Sequence, residues 1–207
     1  MSRQKIHVVL FIIFLAVLIW SAIHPHDYFT WMLEVTPAVI GVTLCLITYK
    51  RFELSMLLYV LILIHCIILM VGGKYTYAEV PLFNWLQAKL GTARNSYDGV
   101  GHFAQGFIPA ILAREILIRK SPLKSGKWLF FLSICVPLAF SAFYELIEWW
   151  VAIGTGEAAD AFLGAQGDPW DTQKDMCLCL IGSIVSLVLL SGAHDRSLAK
   201  LQSQHSM

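Results

Sequence analysis

Long apolar runs dominate this 207-residue chain, and each approaches the length of a helix that crosses a lipid bilayer. Such a helix needs about 20 apolar residues to cross roughly 30 Å of hydrocarbon. Hydrophobic residues make up 57% of the chain and charged residues 14%, too apolar a balance for a soluble domain of this size. We therefore predict an all-α, polytopic membrane helix bundle that forms one domain over residues 1–207. Six spans are predicted, with five or seven as alternatives: residues 6–23, 33–49, 54–71, 100–118, 129–151 and 174–190.

Basic residues are distributed unevenly between the two sides of this bundle. With the N-terminus in the cytoplasm, ten fall on the inner side: Arg3, Lys5, Lys50, Arg51, Arg119, Lys120, Lys124, Lys127, Arg196 and Lys200. Four fall on the outer side: Lys74, Lys89, Arg94 and Lys174. Cytoplasmic loops are enriched in Lys and Arg, so the bias predicts that both termini are cytoplasmic. The lipid bilayer is the expected partner, and no basic surface indicates nucleic acid.

Acidic residues show the opposite distribution. Eleven lie on or near the outer face: Asp27, Glu34, Glu79, Asp98, Glu145, Glu148, Glu157, Asp160, Asp168, Asp171 and Asp175. Acids contribute little to insertion, so their position needs another cause. A carboxylate near hydrocarbon is costly unless it is paired, metal-bound or hydrated, which makes these residues functional candidates.

Two outer loops carry predicted local structure. In the first loop, Pro81 stands at a helix start and Gly91 just after a helix end, with apolar residues at helical spacing between them. This stretch is too short to span a bilayer, so we predict an interfacial helix near 81–91. In the second loop, a short helical turn is predicted over Glu157–Leu163.

Three polar sets lie at the outer ends of the last three predicted spans. Members of each set are three or four residues apart and share one helix face: Asp98, His102 and Gln105; Glu145 and Glu148; and Asp168, Asp171 and Asp175. At about 1.5 Å per residue, Glu145 lies roughly 22 Å from the inner end of its span, close to the outer boundary. All three sets are therefore expected to meet at one depth.

One imidazole and several carboxylates suit a divalent cation such as Mg²⁺, Mn²⁺ or Zn²⁺. The predicted metal ligands are His102, Glu145, Glu148, Asp171 and Asp175. The candidate catalytic acids and bases are Glu145, Glu148 and Asp98. Without a metal, clustered carboxylates would retain protons, which is a route to proton-coupled chemistry.

Structural explanations exist for several of these residues. Asp168 and Asp171 flank Pro169 and suit a helix start, and Asp98 suits a helix cap. No such structural explanation suits the Glu145–Glu148 pair, because acids near a helix C-terminus oppose the helix dipole. Two other polar positions are interpreted as structural: a neutral, hydrogen-bonded His65, with a proton relay as the alternative, and the Arg114–Glu115 couple near the inner boundary.

At these positions the chain resembles the YjdF-type bacterial inner-membrane proteins over its whole length. The resemblance is carried by four blocks: Tyr97–Phe107, Arg114–Glu115, Tyr144–Trp149 and Gly167–Met176. It implies a multi-pass protein of the bacterial inner membrane and supplies no reaction. Residues 95–190 also resemble, more distantly, the VanZ-like membrane proteins associated with glycopeptide resistance. This chain has Glu145-Leu146 where that pattern carries Glu-Gln, so no resistance role is inferred.

Three functions compete at this point. The first is a metal-dependent site that faces the periplasm and acts on a lipid headgroup or an envelope precursor. The second is a non-enzymatic scaffold or binding component, and the third is a small ion-coupled transporter. Common depth of the three polar sets favours the first function over the others.

Overall fold

In the computed structural model, which describes residues 2–155 and 166–205, every regular element is a helix. The described part contains seven α-helices: α1 (Arg3–Ala22), α2 (Tyr28–Thr48), α3 (Met56–Tyr75), α4 (Pro81–Leu90), α5 (Tyr97–Lys120), α6 (Lys127–Thr155) and α7 (Asp171–His205). A 3₁₀ turn, Tyr77–Glu79, lies between α3 and α4. Five of these helices are long and apolar enough to cross a membrane: α1, α2, α3, α6 and α7.

Helix α5 accounts for the difference between these five helices and the six predicted spans. It has 24 residues, so it is about 36 Å long, but charges near both of its ends lower its hydropathy. It packs against α3, α6 and α7, and buries Asp98, His102, Arg114 and Glu115. These four polar side chains are thus enclosed by other helices and do not reach the outer surface of the bundle.

Several predicted boundaries differ from the observed ones. Helix α2 begins five residues before the predicted span, because Asp27 caps it: its Oδ1 accepts a hydrogen bond from the Thr30 N–H at 2.7 Å. That bond holds the pKa of Asp27 below its usual value. Helix α7 continues well past residue 190. The predicted helix near 81–91 is confirmed as α4, with Gly91 in the left-handed conformation at its end. The turn predicted over 157–163 lies outside the described residues.

Two glycines bring the backbones of α5 and α7 into direct contact. A Cβ atom on Gly106 would lie 1.9 Å from the Cys179 carbonyl oxygen, and one on Gly182 would lie 2.2 Å from the Phe103 carbonyl oxygen. Ser183 strengthens the contact by donating to the Gly106 carbonyl at 3.3 Å. Small residues permit such close packing of membrane helices, and Gly182 lies on the same face of α7 as Asp175.

We expect Gly106→Ala to lower the free energy of unfolding by about 1–3 kcal/mol, because backbone atoms of α7 cannot yield to the new methyl group. The measurement is thermal unfolding of the detergent-solubilised protein. Gly41→Ala on α2 is the control, since a Cβ atom there meets nothing within 4 Å. Equal stability of the two variants would contradict this account of the α5–α7 contact.

Candidate metal centre

Two loops tie the start of α5 to the start of α7. The Asn95 N–H donates to Gln166 Oε1 at 3.1 Å, and Gln166 Nε2 donates back to the Asn95 carbonyl at 3.0 Å. Next to this pair, Arg94 forms ion pairs with Asp171 and, at 3.8 Å, with Asp168. These contacts fix the first turns of α5 and α7 beside each other, which sets the positions of the polar side chains those turns carry.

Asp98, His102 and Asp175 form a compact buried group between these first turns. One ligand atom from each lies within 4.8 Å of the other two. His102 Nε2 lies 3.3 Å from Asp98 Oδ1 and 3.9 Å from Asp175 Oδ2. Exposed fractions of these residues are 9%, 6% and 2% respectively. The helical spacing of Asp98 and His102 and the contact between α5 and α7 together produce this group.

The other ring nitrogen of His102 faces a different pair of side chains. Nδ1 lies 3.0 Å from Gln105 Oε1 and 3.9 Å from Glu145 Oε1. Because an amide oxygen only accepts hydrogen bonds, His102 Nδ1 is the donor to Gln105. In a neutral imidazole the lone pair then resides on Nε2, the atom between Asp98 and Asp175. A histidine that binds metal through one nitrogen usually donates from the other in this way.

Distances within the group suit one small cation. Ligand atoms about 2.1 Å from a tetrahedral Zn²⁺ lie roughly 3.4 Å from one another, close to the 3.3 and 3.9 Å observed around His102 Nε2. Two carboxylate oxygens nearby, Asp175 Oδ1 and Glu145 Oε1, are buried without a hydrogen-bond partner. Such acceptors are costly to bury, and a cation would satisfy them. The donor set therefore fits a divalent metal ion.

A cavity of about 90 Å³ adjoins this group on the side of α2 and α3. Asp98, His102 and Gln105 form one wall, and the remaining polar lining comes from Glu34, His65, Tyr77, Tyr144 and Glu148. Glu34 is 5% exposed and accepts a hydrogen bond from the Tyr144 hydroxyl at 3.4 Å. The cavity has room for a few water molecules beside the candidate ligands.

Tyr77 lines this cavity, and its ring packs directly against two glycines. Cβ atoms on Gly72 of α3 and Gly101 of α5 would lie 2.3 and 2.8 Å from atoms of the Tyr77 ring. The ring therefore fits between α3 and α5 only because neither position carries a side chain. Its hydroxyl interacts with Glu34. Gly101, inside the Asp98–His102 stretch, thus has a packing role that supports the site.

The predicted site residues fall into three groups according to where they lie. Asp98, His102, Glu145 and Asp175 come together, and Glu148 lies beside them as a half-buried residue of the cavity wall. Asp171 is instead bound by Arg94. The predicted acids Glu157 and Asp160 lie outside the described residues.

Asp168 serves the local structure of the α7 start. Its Oδ1 accepts a hydrogen bond from the Trp170 N–H at 3.0 Å, and its Oδ2 pairs with Lys174. The Lys174 hydrogen bond, followed by the Trp170 N–H, holds the pKa of Asp168 below its usual value. Asp168 therefore has a structural role in the turn that precedes α7, and it is not the N-cap of that helix, which begins at Asp171.

Sequence reasoning did not assign Glu34, Tyr77, Tyr144 or Arg94 to the site. Glu34 was counted only as an outer acid, although it is a single carboxylate two turns into the apolar helix α2, which is an expensive position. That cost was the available signal. Helical spacing could not reveal the other three, because it does not show which helices are neighbours.

A second buried network lies at the opposite end of α5. Arg114 donates to His194 Nδ1 at 2.8 Å, so His194 donates through Nε2 to Glu115 Oε2 at 2.9 Å. Glu115 Oε1 also accepts from Arg119 at 2.7 Å and from the Ser55 N–H at 2.9 Å. Glu115 and His194 have no exposed surface. Arg114 and Glu115, interpreted from the sequence as a structural couple, thus belong to a larger network that joins α5, α7 and the start of α3.

These features define an all-helical membrane protein with a polar site enclosed between its helices. The chain belongs to the family described as "Predicted membrane protein (DUF2238)", whose model matches residues 6–196. It is similar to the Inner membrane protein YjdF of Escherichia coli (strain K12), with 52% identity over 184 residues, which cover 89% of this chain and 88% of that protein. The resemblance noted from the sequence blocks is thereby confirmed. No solved structure matches the chain.

Proposed function

We propose that Asp98, His102 and Asp175 bind one divalent cation, and that the chain uses it to act on a lipid headgroup or an envelope precursor. One observation carries this proposal. His102 Nε2 lies between two buried carboxylates, while the other ring nitrogen, Nδ1, donates a hydrogen bond to Gln105. Three carboxylates around one imidazole, with Glu145 included, also leave a negative charge that a cation would neutralise. Mn²⁺ and Zn²⁺ suit this mixed nitrogen and oxygen set better than Mg²⁺ does.

Glu145 and Glu148 would then have supporting or catalytic roles. Glu145 faces the Nδ1 side of His102, so it orients the ligand or enters the coordination sphere from α6. Glu148 lines the cavity beside the metal group and is the candidate general base. A bound cation would polarise an oxygen of the substrate and lower the pKa of a bound water. Because the cavity is far smaller than the roughly 300 Å³ of ordinary ligand pockets, the substrate group would approach from the outer side.

The same proposal includes the position of the chain in the membrane. We place one integral domain in the bacterial inner membrane with six spans, α5 included, and with both termini in the cytoplasm. Inner-side enrichment of Lys and Arg supports this orientation. Exposed Leu82, Trp85 and Leu90 on α4 suit a helix that lies on the outer surface.

Fusions to alkaline phosphatase, which is active only outside the cytoplasm, test this orientation. A fusion after Thr92 should be active, and fusions after Lys50 or Lys124 should be inactive. The reverse pattern would refute the orientation.

Metal analysis tests the site directly. The purified protein, incubated with Mn²⁺ or Zn²⁺ and then desalted, should retain about one ion per chain. The double variant Glu145→Gln/Glu148→Gln should bind the ion about 10–100-fold more weakly, since groups that support a ligand contribute affinity of that size. Wild-type protein that retains no more metal than a His102→Ala variant would refute the metal proposal.

The reaction needs its own test. Protein reconstituted with total inner-membrane polar lipid should change the amount of at least one lipid species, as followed by mass spectrometry. A chelator should suppress the change, and addition of Mn²⁺ or Zn²⁺ should restore it. If metal binds but no lipid or envelope precursor changes, the protein is the scaffold or binding component instead.

One observation favours a carrier as the second candidate. The cavity beside the metal group reaches His65 on α3, so polar groups continue from the outer end toward the middle of the bundle. In this alternative the acids and His65 carry protons coupled to an ion. Proton or metal flux into proteoliposomes that falls when His65 is replaced by Leu would favour the carrier, and unchanged flux would exclude His65 from such a path.

A further inference from the structure

A large apolar groove is lined by side chains that take no part in the metal group. Helices α1 and α2 each pack on α3, and the groove between them has a volume of about 490 Å³. Its walls are almost entirely apolar and include Phe11, Phe14, Val42, Leu46, Ile62 and Leu63. This volume falls within the range of about 300–1,000 Å³ that is usual for small-molecule sites.

The groove has one polar end. Gln4, His7, Tyr49 and Tyr59 line it there. His7 Nδ1 lies 3.0 Å from the Tyr49 hydroxyl, while His7 Nε2 is buried without a hydrogen-bond partner. When Tyr49 donates to Nδ1, the proton of the neutral ring is on Nε2. The polar end of the groove carries imidazole and hydroxyl side chains, which suit the ester and phosphate oxygens of a lipid headgroup.

Basic side chains surround that same end. Lys5 on α1 and Lys50 and Arg51 in the turn after α2 are all exposed. Arg3 is close by and pairs with Glu53 at 2.8 Å. A negatively charged headgroup would meet three exposed cations here, each contributing about 1 kcal/mol near a membrane surface.

The length of the groove matches the thickness of one leaflet of the hydrocarbon core. From Gln4 to Phe14 along α1 the distance is about 15 Å, which is half of the roughly 30 Å hydrocarbon thickness. Val8, Phe11 and Leu46 at its rim are exposed, so the groove opens sideways to the bilayer. We propose that an anionic phospholipid occupies this groove, with one acyl chain between α1 and α2 and its headgroup at Lys5, Lys50 and Arg51.

Native mass spectrometry of delipidated protein tests this proposal with two lipids that have identical acyl chains. Dioleoyl phosphatidylglycerol should bind at one tight site, at least about ten-fold more tightly than dioleoyl phosphatidylcholine. Lys50→Gln/Arg51→Gln should reduce phosphatidylglycerol affinity by roughly 10–30-fold, as the loss of two cations at a membrane surface predicts. Val42→Trp, which fills the groove without a change in charge, should remove the tight phosphatidylglycerol site and weaken the binding of phosphatidylcholine as well.

The matched control is Lys124→Gln/Lys127→Gln, which removes two exposed charges from the α5–α6 turn and the first residue of α6. This pair should change phosphatidylglycerol affinity less than two-fold. Equal affinity for the two lipids, or an equal loss in the control pair, would show a nonspecific charge effect and overturn the proposal. None of these variants touches the metal group, so the outcome is independent of the function proposed above.

Discussion

Replacement of His102 by Ala, or of Asp175 by Asn, should weaken Mn²⁺ or Zn²⁺ binding at least about 100-fold. Loss of a group that only orients a ligand already costs about 10–100-fold, and these residues provide the ligand atoms themselves. His102 Nε2 is the ring nitrogen that faces both Asp98 and Asp175, and Asp175 supplies a buried oxygen without a hydrogen-bond partner. Isothermal titration of the purified variants measures the affinity, and circular dichroism establishes that they are folded.

Two further variants distinguish ligands from neighbours. Gln105→Leu should weaken binding about 10–100-fold, because it removes the acceptor that holds the Nδ1 proton of His102. Asp171→Asn should weaken binding far less than Asp175→Asn, since Asp171 is bound by Arg94. Asp168→Asn serves as a control at the same end of α7.

Specific results would contradict this ligand assignment. An equal loss of affinity for Asp171→Asn and Asp175→Asn would return Asp171 to the metal-binding set that its helical spacing predicts. Wild-type affinity in His102→Ala would mean that the ion, if bound, lies elsewhere. Loss of affinity at Gln105→Leu without a change in fold would support the assigned ring tautomer.

Much of the site could be predicted because helical geometry is regular. Spacing of three or four residues places Asp98 with His102 on one face, and the helical rise per residue places Glu145 at the same end of the bundle. Gly182 could be predicted as a packing position because it continues the face of Asp175. These inferences need only the 3.6-residue period and the rise per residue.

Features that depend on neighbouring helices could not be predicted in this way. Glu34 enters the cavity because α2 packs on α3, which in turn packs on α5. Arg94 binds Asp171 because two loops are hydrogen-bonded to each other. Helix α5 has charged residues near both ends, and the burial of Asp98, Arg114 and Glu115 depends on the helices that pack against it. Each of these facts belongs to tertiary packing, which local periodicity does not specify.

Glu115→Ala should lower the free energy of unfolding by about 3–5 kcal/mol, the usual cost of removing one partner from a buried charge network. Glu115 accepts hydrogen bonds from His194, Arg119 and the Ser55 N–H, and all of these donors would lose their acceptor. For a chain of this length the midpoint of thermal unfolding should fall by roughly 6–20 °C. Thermal unfolding of the detergent-solubilised protein provides the measurement.

Asp195→Asn is the matched comparison for this loss. Asp195 pairs with Arg114 at 2.8 Å in the same network, but its side chain is 58% exposed. Exposed ion pairs contribute about 0–1 kcal/mol, so this variant should be nearly as stable as the wild type. Glu115 lies about 25 Å along α5 from Asp98, so folded Glu115→Ala should bind metal with unchanged affinity. Equal destabilisation by the two variants would show that burial of Glu115 does not determine its contribution, whereas an altered metal affinity would couple the two ends of α5.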